Sequence, residues 1–509
     1  MTDATAATQA VQSFDQDTFA AIDIGSNSFH LIVARLTEGT LQPLVMDKQL
    51  VRLAEGLDEE RTLASDAIER GVTILRSFAR VLKDMPAGRV RAVATFTLRR
   101  ARNRNDFLRA AREVFPFPIE VISGDEEARL IYQGIAHTTH FEGKRLIIDI
   151  GGGSTEFAIG ENFDLLQLSS QPMGCISYTR RFFDDGNITR ERFRVAETRA
   201  RQRLELIDQR FEKTGWDSAI GSSGTAKAIL AYGMHHGLLA DGQINLKQLK
   251  AIRRSLIEVG HCDRIEGIDE GRRPVIAGGL SILIGAFKQF GIEQMGISDA
   301  ALREGVLYEM TERMQHHDIR ERTVSSLVNR FDIDMEQAQR VYSTAKLLYG
   351  AFVSELPGDQ IEPLRHILYW ACMLHEIGLH INRRGLQRHS RYIVENLELP
   401  GFSDEEQRLL GLAVGSWRKN FKRKDIPEFA LFDQEAVFKL IVTLRLATLM
   451  NLRRLDGFLP GLELQGCAKG IVLGFNPEWL DAHPLTHADL QTEASVLENN
   501  GFKLTLSQA

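Results

Sequence analysis

The chain has 509 residues, enough for about three domains and for more than one hydrophobic core. Hydrophobic residues make up 43% and charged residues 26%, so a disordered or collagen-like chain is excluded. The net charge of −6, from 62 basic and 68 acidic residues, excludes a uniformly basic nucleic-acid-binding protein. A polyanionic ligand would have to meet a local positive patch.

Cysteine usage and the N-terminal sequence predict a cytoplasmic protein. Cys175, Cys262, Cys372 and Cys467 lie far apart and form no CxxC pair, which excludes a zinc ribbon and fits a reducing compartment. The first fifteen or so residues are rich in Ala, Thr and Gln, are expected to be disordered and do not resemble a signal peptide. No run of 18 apolar residues exists, so no transmembrane helix is expected. Peripheral association with the inner membrane stays open.

The N-terminal part predicts an α/β domain over residues 15–140. The segment FAAIDIGSNSFHLIVARL predicts two strands joined by a Gly/Ser/Asn turn. Residues 65–84 have helical spacing with Ser65 as N-cap, RVRAVAT and PIEVIS predict strands, and helices are expected from Asn105 and over DEEARLIYQGIA. This alternation of strands and helices is typical of an α/β domain.

The next part, residues 141–316, opens in the same way. LIIDIGGGSTEFAI and AAIDIGSNSFHLIV share the frame DIGxxSxxxxI, 126 positions apart at Asp149 and Asp23. Such self-similarity predicts an internal structural repeat, and therefore a second α/β domain.

The C-terminal 193 residues differ in character. Residues 317–455 read almost wholly as helices, as in MEQAQRVYSTAKLLYGAFV and QEAVFKLIVTLRLATLMNL, which follow the 3.6-residue period. Residues 456–509, with GCAKGIVLGFNP and GFKLTLSQ as short strands, predict a small α+β module.

The first turn, Asp23 to Ser28, has the chemistry of a phosphate and metal site. Gly25 permits a tight turn, and Ser26, Asn27 and Ser28 supply hydroxyl, amide and backbone donors that could cradle a phosphate. Asp23 cannot bind phosphate directly, so its expected role is to hold a hydrated Mg²⁺. An ordinary β-turn capped by Asn and Ser is the alternative.

The second turn, Asp149 to Glu156, repeats the arrangement. Three glycines at 151–153 permit close backbone approach to an anion, and Ser154 and Thr155 can donate hydrogen bonds. Glu156 adds a carboxylate on the following strand. Two such turns facing each other across a cleft would clamp phosphate from both sides, so the pair is stronger evidence than either turn alone.

A third turn, GSSGT at Gly221–Thr225, follows an expected strand and precedes a helix, an arrangement that can present amide groups to an anion. No GxxxxGK[ST] motif occurs, and no GxGxxG opens a βαβ unit, so a P-loop and a Rossmann site are excluded.

Charged residues outside the turns are candidates for a general base and for a phosphate-binding cation. Glu126 and Glu127 follow a strand and open a helix, where acidic residues favour the helix dipole. We expect one of them to serve only that purpose and the other to reach the cleft as a general base. Arg99, in an arginine-rich stretch, could bind phosphate with its guanidinium.

HEIGLH, from His375 to His380, is similar to the HExxH motif of zinc proteases. The two histidines are five positions apart instead of four, with Gly378 between them, which argues against a protease site. A metal-dependent HD phosphohydrolase site is the other interpretation that this motif invites.

Together these motifs resemble the exopolyphosphatase / guanosine pentaphosphate phosphohydrolase family. The resemblance covers essentially the whole chain, through DIGSNSFHLIV, EVISGDEEARLIYQG, LIIDIGGGSTEF, MGCISYTRRFF, IGSSGTAKAI, ALREGVLYEM and LHEIGLHINRRGLQRHSRYI. It implies membership of the actin-like phosphotransferase superfamily, with two ribonuclease-H-like domains and the active site between them.

The resemblance also implies roles for residues. By motif, Glu127 matches the catalytic base, Asp149 and Glu156 match acidic catalytic and metal-linked positions, and Arg99 matches a phosphate-contacting arginine. Asp23 to Ser28 and Gly151 to Thr155 match the two phosphate loops. GSSGT matches the loop that holds adenosine in actin-like kinases and is expected to touch phosphate or nucleotide. Mg²⁺, or Mn²⁺ in its place, is the expected cofactor.

The helical region resembles the HD fold with departures from its metal ligands. Gln337 stands for the upstream His, His375-Glu376 for the His-Asp pair, and Thr448 for the final Asp. The resemblance therefore implies a degenerate, metal-free HD-like domain that guides the substrate. Basic clusters at 383–391 and 418–424 would suit a long polyanion.

Three functions compete. The first is an exopolyphosphatase that releases terminal orthophosphate from inorganic polyphosphate, repeatedly from one chain; GGGST and the basic C-terminal half favour it. The second removes the terminal phosphate of pppGpp to give ppGpp. The third, a non-catalytic polyphosphate or alarmone sensor, is disfavoured because a binder gains nothing from carboxylates beside phosphates. A homodimer is expected, and nucleic acid is not expected as a partner.

Overall fold

The computed structural model describes residues 17–37, 40–139, 143–239, 242–314, 319–397, 399–419 and 421–508. The N-terminal stretch predicted to be disordered lies outside these residues. The chain divides into two compact units, Met1–His317 and Asp318–Ala509.

The first unit is built of strands and helices in alternation. Its strands are β1 Thr18–Ile24, β2 Ser28–Thr37, β3 Thr40–Leu50, β4 Val90–Ala94, β5 Ile119–Val121, β6 Lys144–Ile150, β7 Thr155–Glu161, β8 Asp164–Gln171, β9 Ser218–Ser222, β10 Ile244–Asn245 and β11 Gln294–Ile297. Its helices are α1 Ser65–Val81, α2 Phe96–Arg100, α3 Arg104–Arg112, α4 Gly124–Thr138, α5 Cys175–Phe182, α6 Arg190–Leu204, α7 Asp208–Thr214, α8 Ser223–His235, α9 Leu246–Val259, α10 Ile276–Phe290 and α11 Leu302–Met314.

The strands form two sheets of the same topology. The first sheet has the order β3-β2-β1-β4-β5, and the second has β8-β7-β6-β9-β11 with β10 added at the edge. In each, the first three strands are antiparallel neighbours and the later strands join the first in parallel. This is the order expected for two ribonuclease-H-like domains, so the first unit has an actin-like α/β architecture.

The strand register of the two hairpins shows that the internal repeat holds residue by residue. In the first hairpin Asp23 lies opposite His30, and in the second Asp149 lies opposite Glu156. Both pairs stand 126 positions apart in the sequence, so His30 occupies the place in the first repeat that Glu156 occupies in the second. Both strands are largely buried on both faces, and each aspartate is the last residue but one of its strand.

The two repeats share an apolar contact layer. Ile131 and Ile135 of α4 pack in one buried cluster with Ile147 of β6 and Ala158 of β7. Because α4 belongs to the first repeat and these strands to the second, the layer fixes the two sheets relative to each other below the site.

A buried ion-pair network lies beside this layer. Arg129 binds both carboxylate oxygens of Glu126 and also contacts Glu309, while Arg91 pairs with Glu120 and Glu309. Two guanidinium groups therefore meet three carboxylates. Removal of one member would leave a buried charge without its partner, which typically costs about 3–5 kcal/mol of stability.

Two predicted helix starts were wrong by small amounts. The first helix begins at Ser65, but the capping position is Ala64, which has no side chain that can accept a hydrogen bond. The helix expected from Asn105 begins at Arg104, after Asn103, whose side chain instead bonds the backbone N–H and carbonyl of Leu63. In the second case a tertiary contact of the Asn103 side chain overrides the local capping signal.

The second unit is helical with a small sheet. Its elements are α12 Ile319–Arg330, α13 Met335–Gly350, α14 Ile361–Leu374, α15 Leu386–Asn396, α16 Asp404–Ser416, α17 Gln434–Met450, β12 Glu463–Cys467, β13 Gly470–Phe475, α18 Pro477–Ala482, α19 Pro484–Glu498 and β14 Lys503–Gln508. Side chains of the helices and of β13 and β14 share one hydrophobic core. Within the described ranges of both units, no helix combines the length and apolar character needed to span a bilayer.

The four positions compared with HD metal ligands are all bonded within the protein. Gln337 donates to the Asn451 carbonyl, Nδ1 of His375 bonds the Cys372 carbonyl, Glu376 pairs with Arg454, and the Thr448 hydroxyl donates to the Leu444 carbonyl. His375 is buried, and burial lowers its imidazole pKa, so the ring is neutral and structural here.

Candidate active site

The glycine turns of the two repeats face each other across a cavity of about 360 Å³. The approach is close: a Cβ added at Gly152 would lie 2.9 Å from Cβ of Ser26 and 3.1 Å from a methyl group of Ile176. Only glycine allows the two turns to meet at this distance.

Most of the predicted site residues line this cavity. They are Asp23, Gly25, Ser26, Asn27, Ser28, Glu127, Asp149, Gly151, Gly152, Gly153, Ser154, Ser223 and Gly224. The remaining predicted site residues lie behind its wall. They are Arg99, Thr155, Glu156, Gly221, Ser222 and Thr225.

The third turn contributes only part of its predicted set. Ser223 and Gly224 line the cavity, whereas the Ser222 hydroxyl donates to the Ala300 carbonyl and the Thr225 hydroxyl to the Ile150 carbonyl. Gly221 lies inside β9. In the second turn, the Thr155 hydroxyl is likewise used internally, on the Met173 carbonyl. These buried hydroxyl groups fix the shapes of the turns instead of facing a ligand.

Three carboxylates converge on the cavity. Burial, followed by the charge of Glu127, raises the pKa of both Asp23 and Asp149 to about 7. Burial also raises the pKa of Glu127, against the opposing effect of Arg99. The raised pKa values show that three negative charges so close together are unfavourable. A divalent cation would stabilise the deprotonated carboxylates, since it would replace the protons and offset the repulsion between the charges.

Glu156 adds a fourth carboxylate behind the other three. It is 1% exposed, and burial together with the charges of Glu127 and Asp149 raises its pKa well above the ordinary value. Ser170 donates to its Oε1 at 2.9 Å, while Oε2 is buried without a hydrogen-bond partner among the described residues. An orphaned carboxylate oxygen beside Asp149 fits a hard, hydrated cation such as Mg²⁺.

The two neighbouring glutamates of α4 have different surroundings. Glu127 lines the cavity and accepts a hydrogen bond from Nη1 of Arg99 at 3.1 Å. The same Arg99 atom donates to the Ile122 carbonyl at 2.8 Å, which fixes the guanidinium. Glu126 is held by Arg129 in the buried ion-pair network. Arg99 therefore orients Glu127, which differs from the sequence-based expectation that its guanidinium faces the cleft.

Four cations that the sequence analysis did not single out line the cavity. They are Lys48, Lys227, Arg272 and Arg303. Lys227 follows GSSGT and Arg303 belongs to ALREGVLYEM, so both stood within motifs that the sequence analysis quoted. Lys48 and Arg272 had no such signal, because they come from an edge strand and from the short 3₁₀ helix Glu270–Val275 before α10. The cations offset the carboxylates and make the cavity suitable for an anion that also binds a metal.

His30 completes the first hairpin as a neutral group. Burial and the charge of Arg303 lower its pKa to about 3. Nη1 of Arg303 lies 3.2 Å from Nδ1, so Nδ1 accepts and Nε2–H donates to the Ser28 hydroxyl at 2.8 Å. A neutral donor therefore stands where the second repeat has Glu156, so the two hairpins differ in charge at this position.

An outer cavity adjoins the site. It has a volume of about 570 Å³ and shares Lys48, Gly224, Lys227 and Arg272 with the main cavity. The rest of its wall comes from α8 and the 267–269 loop. The guanidinium of Arg272 lies directly over Gly224, where a Cβ would come within 2.0 Å of it.

Replacing Gly152 by Ala tests the closeness of the two turns. The added Cβ would displace Ser26 and Ile176, so we expect turnover to fall by about 10–100-fold because reacting groups misplaced by an ångström lose much of their effect. Thermal unfolding should change little. Gly88→Ala, at an open surface position, is the matched control. Unchanged kinetics in Gly152→Ala would contradict the described approach of the turns.

Facing glycine turns, clustered carboxylates and a cationic rim define a protein that acts on phosphate groups. Two family models match the chain: the Ppx/GppA phosphatase family over residues 32–314, and domain III of Ppx/GppA phosphatase over residues 319–494. The chain therefore belongs to the Ppx/GppA phosphatase family.

Relatives and solved structures agree with this membership. A guanosine-5'-triphosphate,3'-diphosphate pyrophosphatase of Photobacterium profundum is 37% identical over 494 residues, 96% of this chain and 98% of the relative. The protein of the same name in Vibrio parahaemolyticus gives the same values. The crystal structure of an exopolyphosphatase from Cytophaga hutchinsonii, 23% identical, matches with a TM-score of 0.53 and covers 58% of this chain and 98% of that one. At this identity the structural match supports the fold alone.

Proposed function

We propose that this phosphatase hydrolyses the terminal 5'-phosphoanhydride bond of pppGpp, giving ppGpp and orthophosphate. The observation that carries the proposal is the 37% identity, over nearly the whole of both chains, to relatives named for this activity. The sequence analysis ranked polyphosphate first, on GGGST and the basic C-terminal half. Full-length identity is the stronger support, because it covers both units.

In the proposed reaction, water attacks the terminal phosphorus and the bond to the bridging oxygen breaks. Glu127 takes the proton of the water, and the leaving oxygen departs as the terminal phosphate oxygen of ppGpp. Arg99 holds Glu127 in place through its hydrogen bond. The raised pKa of Glu127 makes it a better proton acceptor than an exposed glutamate.

The turns and the cations would bind the phosphate chain. The turns Gly25–Ser28 and Gly151–Ser154 line the cavity, where their free backbone amides would donate to phosphate oxygens, and Arg303 and Lys227 add positive charge. Asp23, Asp149 and Glu156 would hold Mg²⁺ or Mn²⁺, which supplies charge neutralisation when it is bound. Phosphoryl transfer depends mainly on such positioning and electrostatics.

The outer cavity supports a nucleotide substrate. Its volume of about 570 Å³ lies within the range of cavities that bind small molecules. Arg272 and Lys48 stand at its junction with the main cavity, where the 3'-diphosphate of the nucleotide would need countercharge. A bare polyphosphate would have no use for the apolar part of this wall, at Ala228, Ala231 and Ile268.

Inorganic polyphosphate is the second candidate substrate. The basic cluster at 418–424 supports it, since Lys422, Arg423 and Lys424 line a cavity of about 720 Å³ in the second unit. A long polyanion can engage several such groups at once. The interpretation of residues 317–455 as a degenerate HD-like domain, the domain boundaries, the homodimer and the cellular location stay predictions.

One assay separates the two substrates. Orthophosphate release would be measured from pppGpp and from long-chain polyphosphate, with Mg²⁺ present and with excess chelator. We expect the specificity constant for pppGpp to be the larger, and both activities to be lost in chelator.

The result can reverse the proposal. A larger specificity constant for polyphosphate would restore the exopolyphosphatase, and binding of either ligand without turnover would indicate the sensor. The variant Arg272→Gln further distinguishes a nucleotide substrate from a polyphosphate substrate. It should weaken use of pppGpp more than use of tripolyphosphate, which has no 3'-diphosphate.

A further inference from the structure

A smaller cavity, separate from the outer cavity, lies behind the active site. It has a volume of about 250 Å³. It is lined by Phe96, Arg99, Arg100, Gly124, Asp125, Ser154, Ser170 and Pro172. We refer to it as the rear cavity. Of its lining, the active site described above uses Arg99, Ser154 and Ser170.

The rear cavity and the active-site cavity share a wall. Phe96 and Ser154 line both cavities. The ring of Phe96 lies directly against the second glycine turn, since a Cβ added at Gly153 would come within 2.1 Å of it. The Arg99–Glu127 pair crosses the same wall, because Glu127 faces the active-site cavity and Arg99 faces the rear one.

The chemistry of the rear cavity suits an anion. Arg99 and Arg100 both line it, and the neighbouring charges that act on Arg100 are those of Arg61 and Arg99. In the described part of the chain, no carboxylate lies within ion-pair distance of Arg100. Ser154 and Ser170 also line it, with the Ser170 hydroxyl donating to Oε1 of Glu156. The absence of a side chain at Gly124 opens the space, because a Cβ there would lie 2.4 Å from the Ser170 hydroxyl.

We propose that the rear cavity is an orthophosphate-binding subsite, through which the phosphate released by hydrolysis leaves on the side of the wall opposite to the substrate. This inference rests on the proposed hydrolysis. The remaining nucleotide would fill the front of the cleft after cleavage, so orthophosphate formed at the inner end would be blocked on that side. Movement of the Phe96 ring would connect the two cavities.

Asp125 makes this subsite suited to release. Its carboxylate lines the rear cavity together with the two arginines and disfavours a bound phosphate dianion. The arginines draw phosphate away from the reacting carboxylates, and Asp125 prevents tight retention. The two opposing charges provide a pair of variants with opposite expected effects.

Product inhibition tests the subsite. Orthophosphate that binds in the rear cavity can be present together with substrate, so inhibition should be of mixed type. Arg100→Gln should raise the inhibition constant for orthophosphate about tenfold, the scale of one charge-assisted hydrogen bond. Asp125→Asn should lower it. The KM for substrate should stay unchanged in both variants. Arg109→Gln, an exposed arginine of the same stretch, is the control and should behave like the unaltered protein.

Direct binding keeps this test separate from the proposed function. Titration calorimetry with inorganic phosphate, without substrate, should show binding that Arg100→Gln weakens and Asp125→Asn strengthens, whether or not pppGpp is hydrolysed. Purely competitive inhibition with the same constant in all variants, or phosphate binding that is unaffected by Arg100→Gln, would overturn the proposal. Thermal unfolding of each variant would verify that it is folded.

Discussion

Glu127→Gln is expected to lower turnover by about 10²–10⁴-fold, the usual contribution of a general base. The substitution keeps the size of the side chain and removes its ability to take a proton. Nη1 of Arg99 can still donate to the amide oxygen, so the side chain should keep its position. Substrate affinity should therefore be retained, and the loss should appear in kcat.

Glu126→Gln is the matched control for this prediction. Glu126 is buried and bound through both oxygens by Arg129, so the variant should lose stability instead of chemistry. Steady-state kinetics and thermal unfolding of both variants separate the two effects. If Glu126→Gln is the variant that loses turnover at full stability, the other glutamate is the base. If Glu127→Gln turns over normally, neither the base nor its orientation by Arg99 is as described.

The hairpins and their turns could be predicted from the sequence, because the relevant signals are local. An apolar run, an aspartate and a glycine turn within fifteen residues define each hairpin, and the repeat at Asp23 and Asp149 indicated that the hairpins are equivalent. The facing arrangement of the turns followed from this equivalence. Predicted helix starts at Ser65 and Asn105 were less accurate, and at the second of them the Asn103 side chain bonds Leu63 instead of capping its helix.

The cationic rim and the position of Arg99 could not be predicted in this way. Lys48, Arg272 and Arg303 lie on an edge strand, a 3₁₀ helix and an α-helix that are distant in sequence, and only the fold brings them to one cavity. Arg99 carries the right chemistry for phosphate, but its direction depends on the Ile122 carbonyl and on Glu127. Residue type indicates what a side chain can do, whereas packing decides where it points.

Asp149→Asn should change how Mg²⁺ and pH act on the protein. In the metal-free protein, burial and Glu127 raise the pKa of Asp149 and Asp23 to about 7, from the ordinary value of 3.8. Between these values the folded state holds protons that the unfolded chain has released. The contribution of these two aspartates to the stability of the metal-free protein should therefore be most favourable below about pH 4, fall as the pH rises toward 7, and level off above that.

The cation reverses this trend, because Mg²⁺ binds the deprotonated carboxylates. Added Mg²⁺ should raise the melting temperature much more at pH 8 than at pH 5. Each pKa unit corresponds to about 1.4 kcal/mol, so the free energy of unfolding in metal-free protein should change by a few kcal/mol over this window. Activity should need Mg²⁺ or Mn²⁺ and be lost in excess chelator.

In Asp149→Asn the side chain is neutral at every pH, so one buried charge and one metal ligand are lost together. The metal-free variant should be more stable than the unaltered protein above pH 7, Mg²⁺ should raise its melting temperature little, and more metal should be needed for activity. Asp106→Asn, at an exposed position, is the control and should keep the Mg²⁺ effect. Scanning calorimetry at pH 5 and pH 8, with Mg²⁺ and with chelator, measures all of these differences. An equal Mg²⁺ effect at both pH values and in both variants would show that the cation binds elsewhere, and that the four clustered carboxylates serve the reaction without it.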